Sequence, residues 1–187
     1  RQRIPGGRLM GTGETAMTGV TGVTGVTGEE LVITRVFDAP RELVFAAWTD
    51  PRHVAQWWGP QGWTTPVCEI DLRPGGVWRY GMRSAEGQES WSEAVYREID
   101  PPQRLVYADT FTDAQGRPLE GMPRMLVTVT FEALGGPQGP GEHQGRTRLT
   151  IRTRPATPAE LRALLDMGIV QGLNEALDRL AAHLAQS

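Results

Sequence analysis

From Pro66 to Arg154 the chain falls into six short segments rich in β-branched and aromatic residues, each stopped by a turn signal. Val67–Leu72 ends at RPGG, Gly76–Arg83 at SAEG, Glu89–Ile99 at DPP and Arg104–Phe111 at TDAQG. Met125–Glu132 ends at LGGPQGPGEHQG and Arg146–Thr153 at RPATP. Glycine and proline punctuate strands because the first reaches backbone conformations that other residues avoid and the second cannot donate to a ladder. Parallel neighbours would need crossovers of a dozen or more residues. These connections are too short for that, so the six strands are expected to run antiparallel. The Gly/Pro-rich stretch 135–145, which contains His143, reads as an extended hairpin tip.

The flanks complete an α+β plan. Glu30–Phe37 is a strand that stops before Pro40, since the residue ahead of a proline favours extended backbone. PRELVFAAWTD then places Leu43, Val44, Ala47 and Trp48 on one side of a short helix opened by Pro40. In DPRHVAQWW, Asp50 can cap, Pro51 takes the first helical position and Gly59-Pro60 ends a second short helix. At the other end, Thr157, Pro158 and Glu160 form a capping box. The apolar stripe from Leu161 through Leu164, Gly168, Gly172, Leu177 and Leu180 to Leu184 predicts one long amphipathic helix. Each glycine on that stripe costs about 1 kcal/mol against alanine. Something is expected to approach closely at Gly168 and Gly172, or space is left open there. A curved sheet of about seven strands wrapped on a single helix should leave a pocket between the two.

A chain of 187 residues suits one domain, here residues 29–187. Residues 1–28 read as a flexible tail, because TGVTGVTGVTG from Thr18 to Gly28 is a triplet repeat without the proline a collagen helix needs. The sequence opens with Arg1, and Met10 and Met17 are candidate starts. Nineteen basic residues stand against twenty-two acidic ones, a net charge of -3, which argues against nucleic acid or an anionic membrane as partner. All the basic residues are arginine, so neither a lysine Schiff base nor a P-loop lysine is available. Cys68 is the one cysteine, which excludes an intrachain disulfide. No apolar run is long enough for a signal peptide or a membrane span, and a cytoplasmic location is expected.

Three of the six tryptophans, Trp57, Trp58 and Trp63, crowd into one stretch. They can plug the end of the sheet, or one or two can line the mouth of the pocket; neighbours on a helix point about 100° apart, so Trp57 and Trp58 should differ in role. Under the second reading, truncating Trp57 or Trp63 would weaken ligand binding more than stability. Alternation puts Trp78, Tyr80 and Met82 on the concave face of their strand, and Leu105, Tyr107, Asp109 and Phe111 together on theirs. In between, Trp91, Glu93 and Val95 compete with Ser92, Ala94 and Tyr96 for the inside. Asp109, Glu93 and His53 are the candidate acid/base groups, with Tyr80, Tyr96 and Tyr107 as phenols, but no paired carboxylates, nucleophile with base or oxyanion turn can be read from the spacing. The histidines His53, His143 and His183 lack metal-ligand spacing, so neither metal nor other cofactor is expected. Cys68 reads as a small buried hydrophobe. Arg146, Arg148, Arg152 and Arg154 alternate with apolar residues and threonines and read as a solvated outer face with acids on neighbouring strands.

Five blocks carry a family resemblance: RVFDAPRELVFAAWTDPRHVAQWWGP (Arg35–Pro60), DLRPGGVWRYGM (Asp71–Met82), YREIDPPQRLVY (Tyr96–Tyr107), TRLTI (Thr147–Ile151) and LDRLAAHLA (Leu177–Ala185). In this order and spacing the chain resembles the START-related (SRPBCC) helix-grip superfamily, and within it the family named for the C-terminal domain of the activator of Hsp90 ATPase. The resemblance implies an internal cavity for a small apolar or aromatic molecule, with the second short helix and following loop, hinged at Gly59, Pro60 and Gly62, as its lid. Trp57, Trp58, Trp63, Trp78, Tyr80, Met82, Tyr96, Tyr107, Phe111, Gly168 and Gly172 are the expected ligand contacts. Related cyclases and aromatases suggest an alternative, a polyketide cyclase- or hydrolase-like reaction in the same cavity. The family name suggests a chaperone contact, although full-length activators carry a large N-terminal domain where this chain has a short tail. A monomer or homodimer is compatible with all of these.

Overall fold

The computed structural model describes residues 17–19, 22–135 and 145–187. His143 and most of the expected hairpin tip lie outside them, as does the first part of the expected tail. In chain order the elements are β1 (Met17–Gly19), β2 (Gly22–Val26), β3 (Leu31–Phe37), α1 (Arg41–Thr49) and α2 (Pro51–Trp57). There follow β4 (Trp63–Ile70), β5 (Val77–Ser84), β6 (Glu89–Asp100), β7 (Arg104–Thr112), β8 (Arg124–Leu134) and β9 (Arg146–Pro155). Two helices, α3 (Pro158–Asp166) and α4 (Ile169–Leu184), end the chain.

Among the described residues the strands form one sheet in the order β1-β2-β3-β9-β8-β7-β6-β5-β4, antiparallel throughout. The short connections therefore produce the hairpins expected of them. The strand count is higher than expected because Met17–Gly19 and Gly22–Val26, within the stretch read as tail, pair in the sheet, the second of them against β3. Threonine and valine in the triplet suit extended backbone, a preference masked in the sequence by the glycines between them.

The helix starts follow their capping chemistry. The Asp50 carboxylate accepts from the Arg52 backbone N–H with Pro51 at the first turn of α2, and Thr157 and Glu160 close a reciprocal capping box on α3. The single long C-terminal helix of the sequence reading is corrected to two, because Gly168 takes φ +85°. Apolar periodicity runs across the break and cannot reveal it; only the glycine hints at it, since that φ strains any residue with a Cβ.

The concave face of the sheet closes on α1, α2 and α4. Leu31, Ile33, Trp78, Tyr96, Leu105, Phe131, Leu149, Leu177 and Leu180 are almost wholly buried. The opposite face carries the arginine stripe of β9, where Arg148 meets Glu132 at 3.0 Å, Arg152 meets Glu30 at 2.9 Å and Arg154 meets Glu29 at 3.3 Å. None of the helices among the described residues is long and apolar enough to cross a membrane.

Candidate functional site

Between the concave sheet face and α4 lies a cavity of about 170 Å³. Tyr80 and Met82 enter it from β5, Tyr107, Asp109 and Phe111 from β7, Met125 and Val127 from β8, and Ile151 and Thr153 from β9. Trp48 of α1 and the Trp58-Gly59-Pro60 corner after α2 form one end. Ile169, Gly172, Leu173 and Ala176 of α4 form the roof. The period of two in the strands and of three to four in the helix delivers these residues to one space.

The wall is mainly apolar, and among the described residues Asp109 is its one carboxyl. Tyr80 donates its hydroxyl to Asp109 Oδ2 at 2.9 Å, while Oδ1 is buried without a hydrogen-bond partner among the described residues. Burial pushes the Asp109 carboxyl up to about 6 from its ordinary 3.8, against the opposing pull of the Tyr80 hydroxyl and then the Thr110 backbone N–H. Burial, reinforced by the nearby Asp109 charge, also raises the Tyr80 and Tyr107 phenols well above their ordinary range. Both phenols therefore stay protonated at neutral pH, and Asp109 is the group in the wall that changes charge near physiological pH.

Of the expected ligand contacts, Trp58, Tyr80, Met82, Tyr107, Phe111 and Gly172 line the cavity. Trp57 does not. It is wholly buried, donates its indole N–H to the Ala47 carbonyl at 2.9 Å and packs edge-on against Trp48 at 5.0 Å. Its neighbour Trp58 turns the other way, within 4.7 Å of the Trp78 ring and 5.4 Å of Tyr80. Trp78 and Tyr96 back the wall from within the core rather than forming it. Trp63 is half-buried outside the lining, and Gly168 serves the helix break. Gly172 has no heavy atom within 4 Å of where a Cβ would stand, so of the two expectations for these glycines it fulfils the open one.

Register settles the ambiguous strand. Ser92, Ala94 and Tyr96 of β6 face inward, so Glu93 is on the outer face, 3.7 Å from Arg79, and is no acid/base candidate for the cavity. There Trp91 lies flat over Gly81, whose missing side chain leaves the room, and the Arg79 guanidinium stacks on it at 4.8 Å. Cys68 is half-buried on β4, and burial pushes its thiol up to about 11, far from a reactive thiolate. Among the described residues no three His, Cys, Asp or Glu side chains converge as metal ligands would.

Two further contacts, absent from the sequence reading, hold α2 and its exit loop onto α4. Arg179 places Nη1 within 3.3 Å of the carbonyl oxygens of Trp58, Gly59, Pro60 and Trp63, and Nη2 at 3.3 Å from that of Gln56. One turn further on, His183 Nε2 meets His53 Nδ1 at 2.8 Å. Burial and then the His53 charge lower the affinity of His183 for a proton. His53 is thereby a latch between elements and not a group in the cavity. In sequence these partners are more than a hundred residues apart, and Arg179 shows only as a polar residue off the apolar stripe.

An antiparallel sheet curved around a C-terminal helix, with two short helices closing one end over an apolar cavity, defines a helix-grip protein of the START-like (SRPBCC) superfamily. The chain belongs to a particular family within it: residues 38–185 match the model of the activator of Hsp90 ATPase homolog 1-like proteins. Solved structures agree. A protein from Arthrobacter aurescens superposes with a TM-score of 0.74 at 28% identity over 86% of this chain and 88% of its own. Protein Ms6760 from Mycobacterium smegmatis gives 0.70 at 28% identity over 83% and 90%. An AHSA1 protein from Silicibacter pomeroyi gives 0.63 at 26% identity over 84% and 98%. A comparison with curated proteins finds no match.

Proposed function

We propose that this chain binds a small, mainly apolar molecule in the cavity between sheet and α4. The observation that carries the reading is the shape of the core itself. Leu177 and Leu180 of α4 are almost wholly buried, yet Tyr80, Met82, Phe111, Val127 and Gly172 leave about 170 Å³ unfilled. Protein interiors otherwise pack like organic crystals, and an apolar space of about 150 Å³ is known to be enough for a benzene-sized guest. The aromatic wall supplies dispersion contacts, and the Trp58-Gly59-Pro60 corner bounds one end of the space.

The test is ligand-observed NMR with ethylbenzene, joined to native mass spectrometry of freshly purified protein. Saturable binding, or a discrete adduct lost on denaturation, supports the reading. Absence of both would overturn it. Asp109 gives a second, enzymatic reading a foothold, since a carboxyl titrating near neutrality beside a phenol is suited to proton transfer. In a cyclase- or hydrolase-like reaction, Asp109→Asn would abolish turnover in a folded protein, and full turnover would exclude that role.

A further inference from the structure

We infer that the molecule taken up by this cavity is an apolar amine, bound as its ammonium ion with the N–H groups directed to Asp109. The inference rests on the cavity being a ligand site and says what kind of ligand its buried carboxyl selects.

Asp109 is 8% exposed. Its Oδ2 is occupied by the Tyr80 hydroxyl and its Oδ1 has no partner among the described residues. A buried carboxylate that lacks one hydrogen bond and any counter-charge is costly twice over, first as an unmade bond and then as an uncompensated charge. Among the described residues no arginine or histidine lines the cavity, and α4 offers only Ile169, Gly172, Leu173 and Ala176. The described lining therefore provides no positive charge to neutralise Asp109. An alcohol could satisfy Oδ1 but would leave the charge; an ammonium group does both. The remainder of the wall agrees with a cation, since Trp48, Trp58, Tyr80, Tyr107 and Phe111 present π-systems, whose faces attract positive charge. Tyr80 and Tyr107 remain protonated, so no second anion competes and the site takes one positive charge.

The experiment uses three probes of nearly equal shape, benzylamine, benzyl alcohol and ethylbenzene, titrated by ligand-observed NMR against the full chain at pH 7.5. Benzylamine should bind at least tenfold more tightly than either neutral probe. In Asp109→Asn the ratio of benzylamine to ethylbenzene affinity should fall to about one. A second measurement needs no variant. Lowering the pH from 7.5 to 5 protonates Asp109 but leaves benzylamine cationic, so its affinity should fall about tenfold while that of ethylbenzene holds. Ethylbenzene binding with no amine preference would overturn the inference and leave the cavity reading standing. Equal binding of the alcohol and the amine would overturn it in favour of a neutral donor. A preference that survives in Asp109→Asn would overturn it too, and failure of all three probes would remove both readings together.

Discussion

At the scale of single residues, Asp109 ties the chemistry of the cavity to the stability of the fold. Its folded value, about 6, lies above its ordinary 3.8, so between these limits the folded state binds the proton more tightly than the unfolded one. The carboxyl is harmless to stability below about pH 4, and the cost grows as pH rises to about 6, reaching roughly 3 kcal/mol at about 1.4 kcal/mol per unit. Asp109→Asn should therefore raise the urea midpoint at pH 7.5, and the gain should shrink by pH 4.5. An equal gain at both pH values would assign the effect to something other than charge burial. The tryptophans separate by the same logic of environment. Trp57 is wholly buried and hydrogen-bonded, so Trp57→Ala should cost about 3–5 kcal/mol in urea denaturation. Trp63→Ala, at a half-buried site away from the cavity, should cost less than half as much.

At the scale of elements, α2 and its exit loop hang on Arg179 and on the His53–His183 contact. Hydrogen bonds from a charged donor contribute about 1.5–3 kcal/mol, and Arg179 serves carbonyls that the end of α2 leaves without helical partners. Arg179→Met should speed amide exchange across residues 56–63 about tenfold while β7 and β8 stay protected; unchanged exchange would deny it that role. His183 works through protons. Its folded proton affinity lies below the ordinary 6.5, so the unfolded state takes up the proton first as pH falls, and stability declines below about pH 6.5. Wild type should then lose more stability than His183→Asn between pH 7.5 and 5.5, in a difference from which the opposite trend of Asp109 cancels. These latches also mark what the sequence could and could not disclose. Strand alternation placed Tyr80, Met82, Tyr107, Asp109 and Phe111 on the inner face because a period of two is local. Capping residues placed the helix starts for the same reason. Glu93 and Trp57 needed strand register and tertiary packing, which neither β6 nor α2 encodes alone. Arg179 and the histidine pair depend on α4 crossing under α2, a fact of the closed fold.

At the scale of the whole molecule, two glycines four residues apart show how the fold trades stability for space. Gly168 breaks the C-terminal helix at φ +85°, where an alanine would be strained regardless of room. Gly172 sits inside α4 with ordinary helical backbone, and nothing stands within 4 Å of a Cβ there because the cavity opens beneath it. Helix propensity alone favours alanine at such a position by about 0.5–1 kcal/mol. Gly172→Ala should accordingly raise Tm by about 1–4 °C for a chain of this size, whereas Gly168→Ala should lower it. The larger Gly172→Leu tests whether the guest sits in that space. Its side chain would occupy the space between Tyr107 and α4, keeping the protein folded while displacing ethylbenzene. A folded Gly172→Leu protein that binds ethylbenzene as wild type does would show that the guest sits elsewhere, and a glycine in the roof of the cavity would then have no functional account.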